Sequence, residues 1–112
     1  MNLKEIIHLQ AQFDKSHKLN FAWDQTITQD NLEILQFLTI ALIGEAGEFS
    51  NVVKKIIRGD RLLNESFDEI SSEIADIFIY TLKLCYQLDI DLEQAFLKKL
   101  KENEIRFKKF EK

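Results

Sequence analysis

The sequence predicts an all-α protein, and three observations support this fold class. The 112 residues include no proline and only three glycines, so little interrupts a helix. Apolar residues recur with helical periodicity, and no segment alternates as a half-buried strand would. Three segments open with a capping-box pattern. We expect one domain, residues 1–112, forming a four-helix bundle with helices at about 3–15, 30–58, 66–88 and 91–109.

The first helix is predicted from Leu3 to about Lys15, because Ile6, Leu9 and Phe13 form part of a one-sided apolar stripe. The helical periodicity then fades. We expect an ordered loop over residues 16–29, which carries Phe21 and Trp23.

The later helices are delimited by cap signals. Asp30-x-x-Glu33 has the form of a capping box for helix two, which should end near Arg58 with Gly59 in a left-handed conformation. The boxes of helices three and four are Ser66-x-x-Glu69 and Asp91-x-x-Gln94.

Composition limits the classes of function. The formal net charge is −4, and the basic residues cluster late in the chain, which argues against DNA or RNA as a partner. No apolar stretch of 18 residues and no signal-peptide core occur, so we expect no membrane association and a cytoplasmic location. The single cysteine, Cys85, lies in an apolar run and is expected to be a buried hydrophobe.

Two acid pairs stand out: Glu45/Glu48 on helix two and Glu73/Asp76 on helix three. Residues three apart share one face of a helix, so the two carboxylates of each pair can bind the same cation. Glu45 falls within the apolar stripe of its helix, where an unpaired charge costs several kcal/mol, on the order of 3–5. Two such helices packed together predict a cation site.

The ligand types indicate which cation this site would bind. All four candidates are hard oxygen donors, which favours Mg²⁺, with Mn²⁺ as a substitute, over zinc. Magnesium held by carboxylates commonly takes phosphate oxygens as its other ligands, so the pattern indicates phosphate-ester chemistry. Lys54, which follows the first acid pair, either contacts a triphosphate or simply occupies a solvated helix end.

Two further features of the helices carry expectations. Gly44 and Gly47 flank Glu45 inside helix two, which suggests a close approach to the backbone there. The apolar arc of helix three, which includes Phe78 and Ile79, is wider than one core-facing stripe needs. We therefore expect self-association through helix three.

Beyond these patterns, the residues match a known family. Gly44-Glu45-Ala46-Gly47-Glu48 followed by Glu73-Ile74-Ala75-Asp76 resembles the Glu-x-x-Glu…Glu-x-x-Asp signature of the MazG-like nucleotide pyrophosphohydrolases. The resemblance continues through Tyr80 and the tail Lys99-Leu100-x-x-Asn103-x-x-Arg106-Phe107, and it covers about residues 31–107. Phe107 stands where that family often has a tyrosine.

The resemblance implies an all-α MazG-like bundle, assembled as a homodimer or a homotetramer (a dimer of dimers). It implies Mg²⁺-dependent hydrolysis of a nucleoside triphosphate to the monophosphate and pyrophosphate, in nucleotide-pool housekeeping. It assigns the metal to Glu45, Glu48, Glu73 and Asp76, the phosphates or sugar to Lys99, Asn103 and Arg106, and the nucleoside to Tyr80.

Some roles remain hypotheses at this point. Glu48, on the flank of the stripe, is our candidate general base, which would take a proton from the water that attacks the α-phosphorus. Trp23 is a weaker candidate for stacking on the base, because a tryptophan in a chain this small is more often a core anchor. The alternatives are a phosphoribosyl-ATP pyrophosphatase-like enzyme and a non-catalytic nucleotide-binding helical module.

Overall fold

The computed structural model describes residues 1–17 and 23–111 and is all-helical over those ranges, with no strand. The predicted loop residues 18–22, which include Phe21, and residue 112 lie outside the described residues. Among the helices that are described, none combines the length and apolar character needed to cross a membrane. The four α-helices are α1 (Leu3–Ser16), α2 (Leu32–Ile57), α3 (Phe67–Gln87) and α4 (Leu92–Arg106). Three short 3-10 turns occupy Gln29–Asn31, Leu63–Glu65 and Lys108–Phe110.

The body of the molecule consists of α1, α2 and α3. The most extensive packing is between α2 and α3, and α1 packs on α3 as well. A small core of Ile27, Ile34 and Leu38 lies at the start of α2 and receives Tyr80 and Leu84 from α3. This packing brings the middle parts of α2 and α3, which carry the acid pairs, alongside each other.

A buried ion pair joins α1 to α3. Lys83 Nζ lies 2.6 Å from Asp14 Oδ2, and the two side chains are only 4% and 1% exposed. The Tyr86 hydroxyl donates a short hydrogen bond to the same oxygen, and Gln10 Nε2 donates to Asp14 Oδ1 at 3.0 Å. Both carboxylate oxygens of Asp14 are therefore satisfied, which is the condition for tolerating a buried charge.

The chain that follows the loop is anchored to the same place. Trp23 Nε1 donates to the Asp14 carbonyl oxygen at 3.1 Å, and Lys83 Nζ lies 4.8 Å from the Trp23 ring centroid. The fully buried Gln87 donates from Nε2 to the carbonyl oxygens of Trp23 and Gln25, each at 2.9 Å. These contacts fix the entry of the chain into α2.

The expected capping box of α2 is wrong by two residues. The capping box belongs instead to the 3-10 turn before α2, where the Thr28 hydroxyl oxygen accepts from the Asp30 backbone N–H at 3.2 Å. The Asn31 side chain returns the bond by accepting from the Thr28 N–H at 2.6 Å. This 3-10 turn follows the cap, so α2 begins only at Leu32.

The expected capping box of α3 is also wrong. The buried Ser66 hydroxyl donates to the Leu62 carbonyl oxygen at 2.8 Å instead of capping the helix. Arg61 donates from Nε to Ser66 Oγ at 3.0 Å and pairs with Glu69, so it connects the two residues of the predicted box. At α4 the cap is as expected, because Asp91 Oδ1 accepts from the Gln94 N–H at 3.1 Å.

The ends of α2 and α3 share one turn geometry. Gly59 has φ of +85°, as predicted, and the Asp60 N–H donates to the Lys55 carbonyl oxygen at 2.9 Å. This is the Schellman motif. At the end of α3 the left-handed residue is Asp89, with φ of +57°, and the Ile90 N–H donates to the Cys85 carbonyl oxygen at 2.8 Å.

The four expected helices are present, but among the described residues α4 does not pack closely on the other three. No residue of α4 is buried, and its substantial contacts among the described residues are with its own C-terminal turn rather than with α1, α2 or α3. The radius of gyration is 17.3 Å, whereas a compact chain of this length has about 13 Å. The pattern of α4 predicts the helix correctly, but no part of the body that the structure describes buries its apolar face.

Breaking the buried pair should be costly. We expect Lys83→Met to lower the free energy of unfolding by about 3–5 kcal/mol, because the Asp14 carboxylate is then buried without its cation. Adding Asp14→Asn should recover part of the loss. Urea denaturation followed by circular dichroism measures both. Lys15→Met, at an exposed neighbouring position, is the control, and an equal effect of the two lysine substitutions would contradict the role of the pair.

Candidate metal centre

Three of the four predicted acids meet between α2 and α3. One carboxylate oxygen from each of Glu45, Glu73 and Asp76 lies within 4.8 Å of the others, and all three residues are half-buried. The helix spacing explains the geometry, because Glu73 and Asp76 lie one turn apart on α3 and face the same part of α2. The arrangement forms a small cup of oxygen atoms.

Two oxygens in this cup have no hydrogen-bond partner. Glu45 Oε2 and Glu73 Oε2 are both buried, and neither is paired with any residue that the structure describes. A buried acceptor left unpaired costs on the order of 1–3 kcal/mol, and more if it is charged. A cation bound between the two oxygens would remove this cost for both of them.

The acids also perturb one another. Burial raises the pKa of Glu45 above its usual 4.5, and the charges of Glu48 and Asp76 raise it further. Burial likewise raises the pKa of Glu73, again with Glu48 and Asp76 as the next causes. Glu48 is exposed and lies outside the group of three, yet its charge acts on both of these acids. It therefore lies at the rim of the cup.

The donor set fits a hard divalent cation. The group consists of carboxylates alone, without histidine or cysteine, which is the ligand chemistry that Mg²⁺ and Mn²⁺ prefer. The two buried oxygens without a hydrogen-bond partner, Glu45 Oε2 and Glu73 Oε2, also favour a bound cation, because it would offset the cost of leaving them unpaired. The identity of the ion within this class stays a prediction.

Tyr80 connects the acids to a neighbouring cavity. Tyr80 follows Asp76 by four residues on α3, so the two side chains share a face of the helix. Burial raises the pKa of the Tyr80 hydroxyl, and the charges of Glu45 and Asp76 raise it further. The same tyrosine lines a cavity of about 280 Å³. The other lining residues are Gln10, Phe13, Asp14, Trp23, Ile79 and Lys83.

Trp23 acts as an anchor, and stacking on a base stays a prediction for it. It is half-buried and anchors the chain through its bond to the Asp14 carbonyl, and it also forms part of the cavity wall. Asp14 and Lys83, which the sequence analysis did not single out, lie in the same wall. In the sequence, each of these two residues is simply one charged residue of an amphipathic helix, and nothing else marks it as part of a cavity wall.

Other predicted residues are not brought to the acids within one chain. Lys54 is exposed on α2 and lies about 180° around the helix axis from Glu45. The remaining candidates belong to α4, which does not pack on the body: Lys99 lies 3.8 Å from Glu102, Arg106 lies over the Phe107 ring, and Asn103 is half-buried.

The close approach expected at the two glycines of α2 does not occur among the described residues. A Cβ built on Gly44 or on Gly47 would meet nothing within 4 Å. Cys85 is buried as expected, and burial raises the pKa of its thiol.

Comparison with known proteins gives one family and one relative. The family model of the MazG nucleotide pyrophosphohydrolase domain matches residues 35–109, which include all four acids. The Gene 37 protein of Mycobacterium phage L5 is 40% identical over 63 residues, which cover 54% of this chain and 55% of that protein. The matched region thus spans about half the length of this curated relative. No solved structure matches the chain.

The raised pKa values of Glu45 and Glu73 predict how the stability of the metal-free protein changes with pH. A carboxyl whose pKa is raised by folding binds its proton more tightly in the folded state, so the metal-free protein loses stability as pH rises from about 4.5 through the raised value. We therefore expect Glu45→Gln to raise the melting temperature of the metal-free protein at pH 7–8, and this gain should shrink toward pH 4.5.

The same substitution should abolish the stabilisation by Mg²⁺, which is expected to raise the melting temperature of the unsubstituted chain. Differential scanning fluorimetry with EDTA or with Mg²⁺ measures both effects. Glu33→Gln, on the exposed first turn of α2, is the matched control. A metal response that survives Glu45→Gln would contradict a site at this acid.

Proposed function

Because the chain belongs to the MazG nucleotide pyrophosphohydrolase family, we propose that it hydrolyses a nucleoside or deoxynucleoside triphosphate to the monophosphate and pyrophosphate. The observation that carries the proposal is the pair of buried, unpartnered oxygens of Glu45 and Glu73 beside Asp76. Such a cup is costly without a cation and is suited to one whose other ligands are phosphate oxygens. The biological role would be nucleotide-pool housekeeping.

Glu45, Glu73 and Asp76 would hold Mg²⁺, and the rim residue Glu48 would complete the set. When bound, the ion neutralises charge that develops on the phosphate oxygens and orients the reacting groups. The carboxylates in turn fix where the triphosphate lies relative to α2 and α3. Their shared negative charge also explains why the triphosphate would enter together with cations rather than alone.

Glu48 is the proposed proton acceptor. Water attacks the α-phosphorus, the bond from that phosphorus to the bridging oxygen breaks, and pyrophosphate leaves with the electron pair. The water's proton passes to the Glu48 carboxylate. This residue suits the role because it is exposed at the rim, whereas the other three acids are turned into the cup.

The nucleoside is proposed to enter the cavity next to Tyr80. The cavity of about 280 Å³ has aromatic walls from Phe13, Trp23 and Tyr80, which suit the flat face of a base. The half-buried Gln10 adds an amide group to the wall, while the buried pair of Asp14 and Lys83 fixes the shape of the cavity. Because Tyr80 also adjoins the acids, one molecule could occupy both places.

Phosphate contacts from Lys99, Asn103 and Arg106 require α4 to approach a metal centre, its own or that of a second copy. Lys54 has no place in the proposal, since it faces away from Glu45. We propose self-association as a homodimer or homotetramer, supported by the exposure of Ile74 and Phe78 on α3 and of the apolar residues of α4. A cytoplasmic location stays a prediction.

A substrate panel tests the proposal. The purified chain is incubated with each ribo- and deoxyribonucleoside triphosphate and Mg²⁺, and the products are separated by ion-exchange chromatography. Monophosphate and pyrophosphate are expected in equal amounts, and EDTA should abolish their release. Phosphoribosyl-ATP is included, since turnover of that compound alone would indicate the alternative enzyme. Nucleotide binding without any turnover would indicate a non-catalytic module.

Glu48→Gln should lower kcat by about 10²–10⁴-fold with Mg²⁺ saturating, because a positioned general base contributes an effect of this size. Its stabilisation by Mg²⁺ should fall less than that of Glu45→Gln, because Glu45, Glu73 and Asp76 would still hold the ion. This difference separates loss of the base from loss of the metal. Steady-state kinetics with a pyrophosphate-coupled assay measures the change. Full activity of Glu48→Gln would show that another group accepts the proton.

A further inference from the structure

We propose that α4 is a self-recognition element. The α4 helices of two copies pair side by side in antiparallel orientation, and the C-terminal segment of each copy, residues 107–110, enters a groove at the start of α4 in the other. The occupant of this surface is thus a second copy of the chain. Three features of α4 support the pairing: its seam, its groove and its tail.

The seam is an apolar stripe on α4 that nothing in the described body covers. Phe96, Leu100, Asn103 and Phe107 follow one another at intervals of four, three and four residues, which is the spacing of a helix-pairing seam. The three apolar members are 61%, 45% and 45% exposed. Burying them against a second helix would remove substantial apolar area from water.

The groove lies where α3 passes into α4. It has a volume of about 350 Å³, enough to receive an aromatic side chain, and its apolar lining includes Leu3, Ile7 and Ile90. Its charged lining residues are three acids, Asp89, Asp91 and Glu93, and one cation, Lys4, so the lining is acidic on balance. An occupant of this groove should therefore combine apolar side chains with positive charge.

The tail of the same chain has this composition. Phe107 and Phe110 lie with ring centroids 6.3 Å apart, so the two aromatic side chains form one unit. Arg106 lies 4.9 Å from the Phe107 ring centroid, and Lys109 Nζ lies 5.2 Å from that of Phe110. The tail thus presents two aromatic rings flanked by cations, in complement to an apolar groove whose charged lining is acidic on balance.

The tail cannot fill the groove of its own chain. The groove is at the first turn of α4, and the tail follows the last turn of this helix of 15 residues. The helix keeps the two ends about 22 Å apart as long as it stays helical. If two copies exchange their C-terminal segments, both grooves are filled at once. This is the closed, two-fold arrangement expected of a self-complementary surface.

The register of this exchange is self-consistent. With Leu100 of each copy close to a two-fold axis, Phe96 lies opposite Asn103 of the other copy, and Phe107 lies opposite the start of α4. The acidic first turn of one helix then meets the basic end of the other. In this arrangement Lys99 and Arg106 share a flank outside the seam and stay accessible to phosphate, since they lie about 100° and 120° around the helix from Leu100. Asn103 lies in the seam instead, so the pairing removes the phosphate contact proposed for it.

Cross-linking tests the pairing in the full-length chain. Leu100→Cys should give a disulfide-linked dimer under mild oxidation, whereas Ile105→Cys, on the opposite face and 74% exposed, should not. Orientation is tested by mixing Leu97→Cys with a size-tagged Glu104→Cys. Antiparallel pairing predicts a mixed disulfide in excess of both self-linked products. Equal rates for Leu100→Cys and Ile105→Cys, or predominant self-linking of Leu97→Cys, would overturn the proposal.

Charge reversal tests the exchange of the tail. Lys108→Glu/Lys109→Glu should raise the dimer dissociation constant at least about ten-fold, as measured by sedimentation velocity at low salt, because like charges then meet at the groove. Adding Glu93→Lys should restore part of the association. Lys98→Glu/Lys101→Glu, with the same change of charge outside the seam, is the control. An equal effect of the two double reversals, or a chain that is monomeric at all concentrations, would overturn the proposal.

Discussion

The arrangement of this molecule depends on one buried ion pair, between Asp14 on α1 and Lys83 on α3. It fixes the rotation of α1 on α3, because in any other register the buried Asp14 carboxylate would lack its cation, which is costly. The Asp14 backbone then receives the indole of Trp23, and Lys83 lies against the face of that ring. The chain that leads into α2 is thereby set, and with it the cavity beside Tyr80.

The acid site was predictable from sequence because its signal is local. Two pairs of carboxylates at a three-residue spacing, within apolar helices, indicate both a shared face and an unusual energetic cost. Asp14 and Lys83 gave no such signal. They are separated by 69 positions, and each one alone looks like an ordinary charged residue of an amphipathic helix. Only the packing of α1 on α3 shows that they are buried together.

Local patterns also failed where several residues competed for one role. Ser66 and Glu69 have the spacing of a capping box, but Arg61 reaches both of them and replaces the box with an ion pair and a side-chain hydrogen bond. For α4, periodicity identified the helix and its apolar face correctly. It could not identify which surface covers that face, since the same stripe suits packing within a chain or between chains.

The open space around Gly44 and Gly47 has a consequence for motion. Each glycine costs α2 about 1 kcal/mol of helix stability relative to alanine, and no neighbour in the described chain packs against either position to offset that loss. The weakest stretch of the longest helix therefore lies immediately around Glu45, between the better-packed turns that contain Leu38 and Val52. Local fluctuations of the backbone should concentrate there, so the carboxylate nearest to this stretch can shift while the core on either side stays fixed.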